Sequence, residues 1–280
     1  MANKISTHRK EIEFILLMGQ NGVGKEKKGQ MLYLLAGNIY RIVMSKVIKS
    51  HRAAKTPLGL QFMEEIDNEK NGKLLSDNPV IEAFEDEVMR IYTAHIESGV
   101  GGMCRIIIDG FPRNMTQLKR FLTYRVSFIA FYITISEATC IARVNERAET
   151  EGPRNDDDKA ADRYRELTEH NRRMVQVMKL SNPHSVVPIN GELPMRDQIT
   201  RMLKKAFDPR AVKRMVACLD NPTDAARKLM DEVEKRKPVI PTPPRAERGG
   251  ASAHSITQRP QSIGHTRHSV PTELIADQPA

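Results

Sequence analysis

The chain has 280 residues, 40% hydrophobic but only 5% aromatic and without Trp, so it can bury a core but lacks the rings of a single-strand stacking platform. Lys and Arg number 44 against 35 Asp and Glu, a net charge of +9. Residues 209–280 hold 12 basic and 8 acidic side chains, and the other +5 is dispersed over residues 1–208, a spread that suits a small anionic ligand better than a DNA-binding stripe.

In chain order, Phe14–Met18 is a short continuous apolar run and predicts a buried strand. Gly-rich punctuation follows, then helical patterns over Glu26–Ala36, residues 41–50, residues 60–70 and, longest, Val80–Ser98. Cys104–Ile108 predicts a second strand, broken by Asp109–Pro112, and Phe128–Ile133 a third. Ala138–Arg147 is helical, Glu151–Asp158 is a charged loop, and Lys159–Lys179 returns to helix. Ser185–Ile189 predicts a fourth strand and Arg196–Phe207 a further helix. Strands alternating with helices imply an α/β fold, a central parallel sheet of about five strands covered on both faces.

Asp208-Pro209 marks a boundary, and residues 209–236 can form two short helices meeting at Asn221-Pro222. From about 238 to 280 the composition turns to Pro, Ser, Thr, Gly, His and Arg, too few large apolar groups to offset the entropy of ordering. This tail is expected to be disordered. The apolar runs fall far short of the roughly 20 residues of a membrane span, and MANKISTHRKEIE at the N-terminus lacks a signal peptide's apolar stretch. Cys104, Cys140 and Cys218 are scattered and odd in number, which predicts reduced thiols, two of them in strands, and no zinc site. The expectation is a cytoplasmic protein with no membrane or nucleic-acid partner.

Three motifs carry chemistry. Gly19-Gln-Asn-Gly22-Val-Gly24-Lys25 follows the first strand and opens a helix. Its glycines let backbone N–H groups converge on phosphate oxygens at a helix N-terminus, and its Lys reaches the β- and γ-phosphates. The hydroxyl that usually follows to hold Mg²⁺ is missing, Glu26 and Lys27 standing there. Asp109-Gly-Phe-Pro-Arg113, with Gln117 beyond it, ends the second strand, at the sheet edge where ligands bind. An acid there can position a hydrated metal, and an Arg can clamp phosphate. Arg143, Arg147, Arg154, Asp156, Asp157 and Arg165 flank one charged loop; like charges at Arg143 and Arg147 share a helical face, which makes sense around an anion.

These motifs in this order resemble the adenylate kinase and UMP/CMP kinase family of nucleoside monophosphate kinases, over about residues 11–205. The resemblance implies a three-layer fold of the P-loop nucleoside triphosphate hydrolase type. It places a kinase core over 1–208, with a monophosphate-binding segment near 40–77 and a short lid near 147–160, then a helical extension at 209–237 and the tail at 238–280. It implies ATP and Mg²⁺ as cofactors and a nucleoside monophosphate as partner, with a monomer expected. By resemblance, Gly19, Gly22, Gly24 and Lys25 cradle the ATP phosphates and Arg143 lies against the adenine. Asp109 positions Mg²⁺ through water. Arg113 holds the monophosphate's phosphate, Gln117 reads its base, and Lys49 and Gly59 belong to the same subsite. Gly72 to Asp77 resemble the latter half of that segment. Arg147, Arg154 and Arg165 surround the transferring phosphoryl group, and Asp156 and Asp157 hold the lid.

The chain departs from the family pattern at Glu26 for a Gly, Lys27 for a Thr, Val43-Met44-Ser45-Lys46 for Ser-Thr-Gly-Asp, and Lys49 for an Arg, with an insertion between Gly59 and Gly72. The leading expectation is reversible transfer of the ATP γ-phosphoryl group to a monophosphate, AMP foremost. The alternative is a nucleotide-binding protein of the same fold with impaired transfer. A kinase of a small non-nucleotide metabolite fits Gln117 and the arginines less well.

Overall fold

The computed structural model describes residues 4–68, 75–151 and 160–220. These all belong to one unit, Met1–Thr242; a second unit, Pro243–Ala280, lies outside the described residues. In chain order the elements are α1 (Lys4–Thr7), β1 (Ile12–Gly19), α2 (Lys25–Ala36), β2 (Tyr40–Val43), α3 (Met44–Ala54), α4 (Pro57–Asn68), α5 (Asp77–Glu97), β3 (Cys104–Asp109), α6 (Met115–Thr123), β4 (Ser127–Thr134), α7 (Glu137–Glu151), α8 (Ala160–Ser181), β5 (Val186–Asn190), α9 (Met195–Ala206) and α10 (Pro209–Asp220).

All five strands run parallel in the order β2-β3-β1-β4-β5. The fold is therefore the expected α/β type, with β1 at the centre of the sheet. Parallel strands covered on both faces need unbroken apolar runs, and β1 has one. Its side chains sort by parity. Ile12, Phe14, Leu16 and Met18 enter a core shared with Phe84 and Val88 of α5, Phe121 of α6 and Met174 of α8. Ile15 and Leu17 enter the opposite core with Leu32 and Leu35 of α2, Val144 of α7, Met202 of α9 and Met215 of α10. Each such fully buried side chain contributes about 1.5–3 kcal/mol.

One element corrects the expectation of helix over 41–50. Tyr40–Val43 is strand, and the helix begins only at Met44. The segment pairs with β3 from Tyr40↔Ile106 to Val43↔Asp109, and the β-branched Ile42 is carried into the core. Tertiary pairing here overrides the local pattern. A second correction concerns the cysteines, two of which were expected in strands: only Cys104 is, while Cys140 lies in α7, within the helix expected over Ala138–Arg147, and Cys218 lies in α10. Cys104 is buried in β3, where desolvation pushes its thiol up to about 12, and Cys104, Cys140 and Cys218 are all free thiols.

Residues 209–220 form α10, whose Val212 and Met215 are built into the second core; residues 221–237 and the tail lie outside the described residues. Among the described residues no helix is long and apolar enough to cross a membrane.

Candidate active site at the carboxyl ends of the central strands

The chain leaves β1 toward β2 on one side and later crosses to β4 and β5 on the other. The loops at the carboxyl end of β1 therefore part, and ligands bind such sheets at that edge. Gly19 ends β1 at φ 140°, and a Cβ there would stand 2.3 Å from the Ile133 carbonyl oxygen, so no other residue lets the loop leave the sheet this closely. Gly24 precedes α2 in the left-handed region at φ 74°, which turns the chain into the helix with its first N–H groups facing outward.

The loop borders an open cleft of about 590 Å³. Among the described residues its lining carries five cationic groups, Lys25, Lys27, Lys28, Arg113 and Arg143, against the carboxylates of Glu26, Asp109 and Glu146. The excess of positive charge, next to a helix N-terminus, suits a polyanion.

Lys25 folds back over the loop that carries it. Its Nζ donates to the Gly19 carbonyl at 2.9 Å and the Gln20 carbonyl at 2.8 Å. Burial pushes this ammonium down to about 8, and the neighbouring Asp109 opposes the shift. Asp109 is the last residue of β3, in register with Leu17 of β1 and Val43 of β2. Burial raises its carboxyl above the usual range, against the pull of Lys25, Arg41 and Arg113.

Phe111 fixes the turn that follows. It is buried and stacks on Phe84 of α5 with centroids 4.1 Å apart, anchoring the Asp109–Arg113 motif to the core. Arg113 is exposed at the cleft, its Nε donating to the Gly110 carbonyl at 3.0 Å. Arg143 bridges two loops, donating to the Gly22 carbonyl at 3.4 Å and the Gly191 carbonyl at 3.2 Å.

The other expected site residues have different surroundings. Gln117 is buried outside the cleft lining, its Oε1 accepting from the Arg113 N–H at 2.7 Å and its Nε2 donating to Asp77 at 2.9 Å. Both ends of this amide hold the Arg113 turn to the start of α5. Gly59 lies where α4 crosses α3, and a Cβ there would stand 2.0 Å from the His51 carbonyl oxygen. Lys49 is exposed on α3, away from the cleft lining. Arg165 is exposed on α8 and pairs with Glu137 at 2.9 Å. Arg147 belongs to α7, but its side chain is not described, and Arg154, Asp156, Asp157 and Gly72 lie outside the described residues.

Three residues of the site escaped the sequence reading. Lys28 is 1% exposed, and its Nζ donates to the Val23 carbonyl beneath the loop. The signal was present: Lys28, Leu32 and Leu35 form one inward stripe of α2, with a cation where an apolar residue belongs. Arg41 of β2 donates to the Glu26 carbonyl at 3.0 Å and to Gln30 at 2.8 Å, bracing α2, and was hidden by the helical reading of its segment. Gln198 of α9 lines the cleft and holds the loop after β5 through the Gly191 and Leu193 carbonyls at 3.2 and 2.6 Å.

The donor set fits phosphate better than a resident magnesium ion. Asp109 is the one carboxylate at the strand ends of the cleft, and α2 opens without a hydroxyl. Glu26 is exposed and turned to Lys46 at 3.4 Å. Among the described residues no group of three or more potential metal ligands converges.

No protein-family model matches the chain. It is similar, at low identity, to curated adenylate kinases. The protein from Borrelia turicatae is 27% identical over 135 residues, 48% of this chain and 57% of its own length. That from Thermus thermophilus is 26% identical over 164 residues, 55% of this chain and 78% of its own length. That from Lawsonia intracellularis is 32% identical over 106 residues, 38% of this chain and 40% of its own length. These partial likenesses support an adenylate kinase-like family.

Proposed function

We propose that the chain is a nucleoside monophosphate kinase that transfers the γ-phosphoryl group of ATP reversibly to AMP. The observation that carries this reading is the meeting of the Gly19–Lys25 loop, Asp109 and Arg113 at one cationic cleft. The similarity to adenylate kinases supports AMP as acceptor. A phosphate oxygen of AMP bonds to the γ-phosphorus while the bond from that phosphorus to its bridging oxygen breaks. ADP leaves with the electron pair, and the acceptor becomes ADP. The acceptor oxygen is already ionised, so no general base is needed, and catalysis is positioning plus neutralisation of charge. Lys25 turns from its loop carbonyls to the β- and γ-phosphates. Arg113 grips the AMP phosphate. Arg143 holds the loops at the purine's edge. Arg147, Arg154 and Arg165 are proposed to close over the transferring group and exclude water. The protein is proposed to act as a monomer.

A second reading, nucleotide binding with impaired transfer, draws support from Glu26 and Lys27 at the mouth of the loop. A panel of AMP, UMP, CMP and GMP with ATP, read as diphosphate formed, separates the two. Transfer with AMP above the others supports the kinase. ATP binding without product for any monophosphate supports the second reading, and failure to bind ATP overturns both.

A further inference from the structure

The inference concerns Lys28 and rests on the reading that the cleft receives a nucleoside triphosphate. A buried ammonium is costly unless an anion pairs with it. Lys28 is buried, and among the described residues no carboxylate forms an ion pair with it. Among the described residues its one hydrogen-bond acceptor is the Val23 carbonyl, while an ammonium has three protons to donate. Its charged neighbours, Arg143 and Lys25, are both cations and disfavour its proton further. The ammonium lies at the loop itself, 3.1 Å from where a Gly24 Cβ would stand, and borders the cleft. Packing alone would favour an apolar residue here, as at Leu32 and Leu35 on the same stripe. The missing partner has the charge, and the loop the shape, of a polyphosphate.

A second, independent observation concerns the metal. α2 opens with Glu26 and Lys27, and neither supplies the neutral hydroxyl that a magnesium ion would take at this point. A loop poor in metal ligands and rich in ammonium groups neutralises phosphate in another way.

We propose that Lys28 is a built-in cation of the phosphate loop, which contacts the bound triphosphate and supplies charge that a divalent metal otherwise brings, so that this protein binds ATP without magnesium. Lys25, Lys28 and Arg143 then form a cationic set around the polyphosphate. An ammonium imposes no octahedral geometry, so the loss of the hydroxyl carries no penalty in binding.

The test is titration calorimetry of ATP into the full chain, once with excess EDTA and once with excess Mg²⁺. The two dissociation constants are expected to agree within about threefold. Lys28→Gln keeps an N–H for the Val23 carbonyl but removes the charge, and is expected to weaken binding in EDTA by about ten- to a hundredfold at a Tm no lower than the parent's near neutral pH, as loss of a charge-assisted contact does. In Lys28→Gln the double change Glu26→Gly, Lys27→Thr is expected to restore binding only when Mg²⁺ is present. Wild-type binding more than tenfold weaker in EDTA overturns the proposal, whether or not the variants fold. Unchanged affinity in a folded Lys28→Gln also overturns it. Absence of ATP binding in either buffer overturns the nucleotide reading itself.

Discussion

Replacing Gly59 by Ala separates a packing residue from a ligand-binding one. The added Cβ would stand 2.0 Å from the His51 carbonyl oxygen, 2.4 Å from the His51 carbonyl carbon and 2.9 Å from the Arg52 nitrogen. All three are backbone atoms of α3, so no side chain can rotate away. Ordinary contact begins near 3.4 Å, so α4 must retreat from α3 by about 1.4 Å at this point. The Thr56 hydroxyl, which accepts from the Gly59 N–H at 3.0 Å and bonds the His51 ring at 2.8 Å, must break or shift with it. Overpacking costs about 1–3 kcal/mol, and a clash with rigid backbone belongs at the upper end. For a core of this size about 3 kcal/mol corresponds to a fall in Tm of about 6–12 °C. Calorimetric or circular-dichroism melting of the purified variant measures it. A Tm within about 2 °C of the parent, with monophosphate affinity alone reduced, would refute the packing argument and return Gly59 to the ligand.

Arg113→Ala is expected to lower kcat/KM toward AMP by about a hundred- to a thousandfold while ATP affinity measured by calorimetry stays within about threefold; an equal loss for ATP would assign Arg113 to the other nucleotide. Lys25 and Lys28 both titrate near 8 in the folded protein against 10.5 for an ordinary lysine. Between those values the unfolded chain binds more protons than the folded one, so stability rises with pH over that window. The Tm of the parent is therefore expected to climb relative to that of Lys28→Gln from about pH 8 toward pH 10, and parallel curves would show that Lys28 does not carry the depressed titration.

The sheet was largely legible because its strands are buried on both faces. The runs at Phe14–Met18, Cys104–Ile108 and Phe128–Ile133 need no alternation to be recognised, and each lies within a slightly longer strand. β2 was not legible. It is four residues long, carries Arg41, and passes into α3 without a Gly or Pro between them. Only its pairing with β3 makes it a strand. The Gly19–Lys25 turn from strand to helix was legible because its glycine spacing has a backbone cause, seen in the positive φ of Gly19, Gly22 and Gly24. Motif matching is weaker where a residue shapes the element that carries a site. Gln117 uses both ends of its amide to hold the turn before α6, and Gly59 admits the crossing of two helices. Lys28 was readable as a charge on an apolar stripe, but a lone lysine among the charged side chains of 25–28 does not announce which one turns inward.

The most direct measurement of the central claim is the stoichiometry of nucleotides after incubation of the full chain with ATP and AMP, resolved by chromatography. The account predicts two ADP formed for each ATP consumed, no free phosphate beyond a trace, and loss of turnover in Lys25→Met. One ADP and one free phosphate for each ATP, with AMP untouched, would contradict it and make the cleft a site of hydrolysis instead.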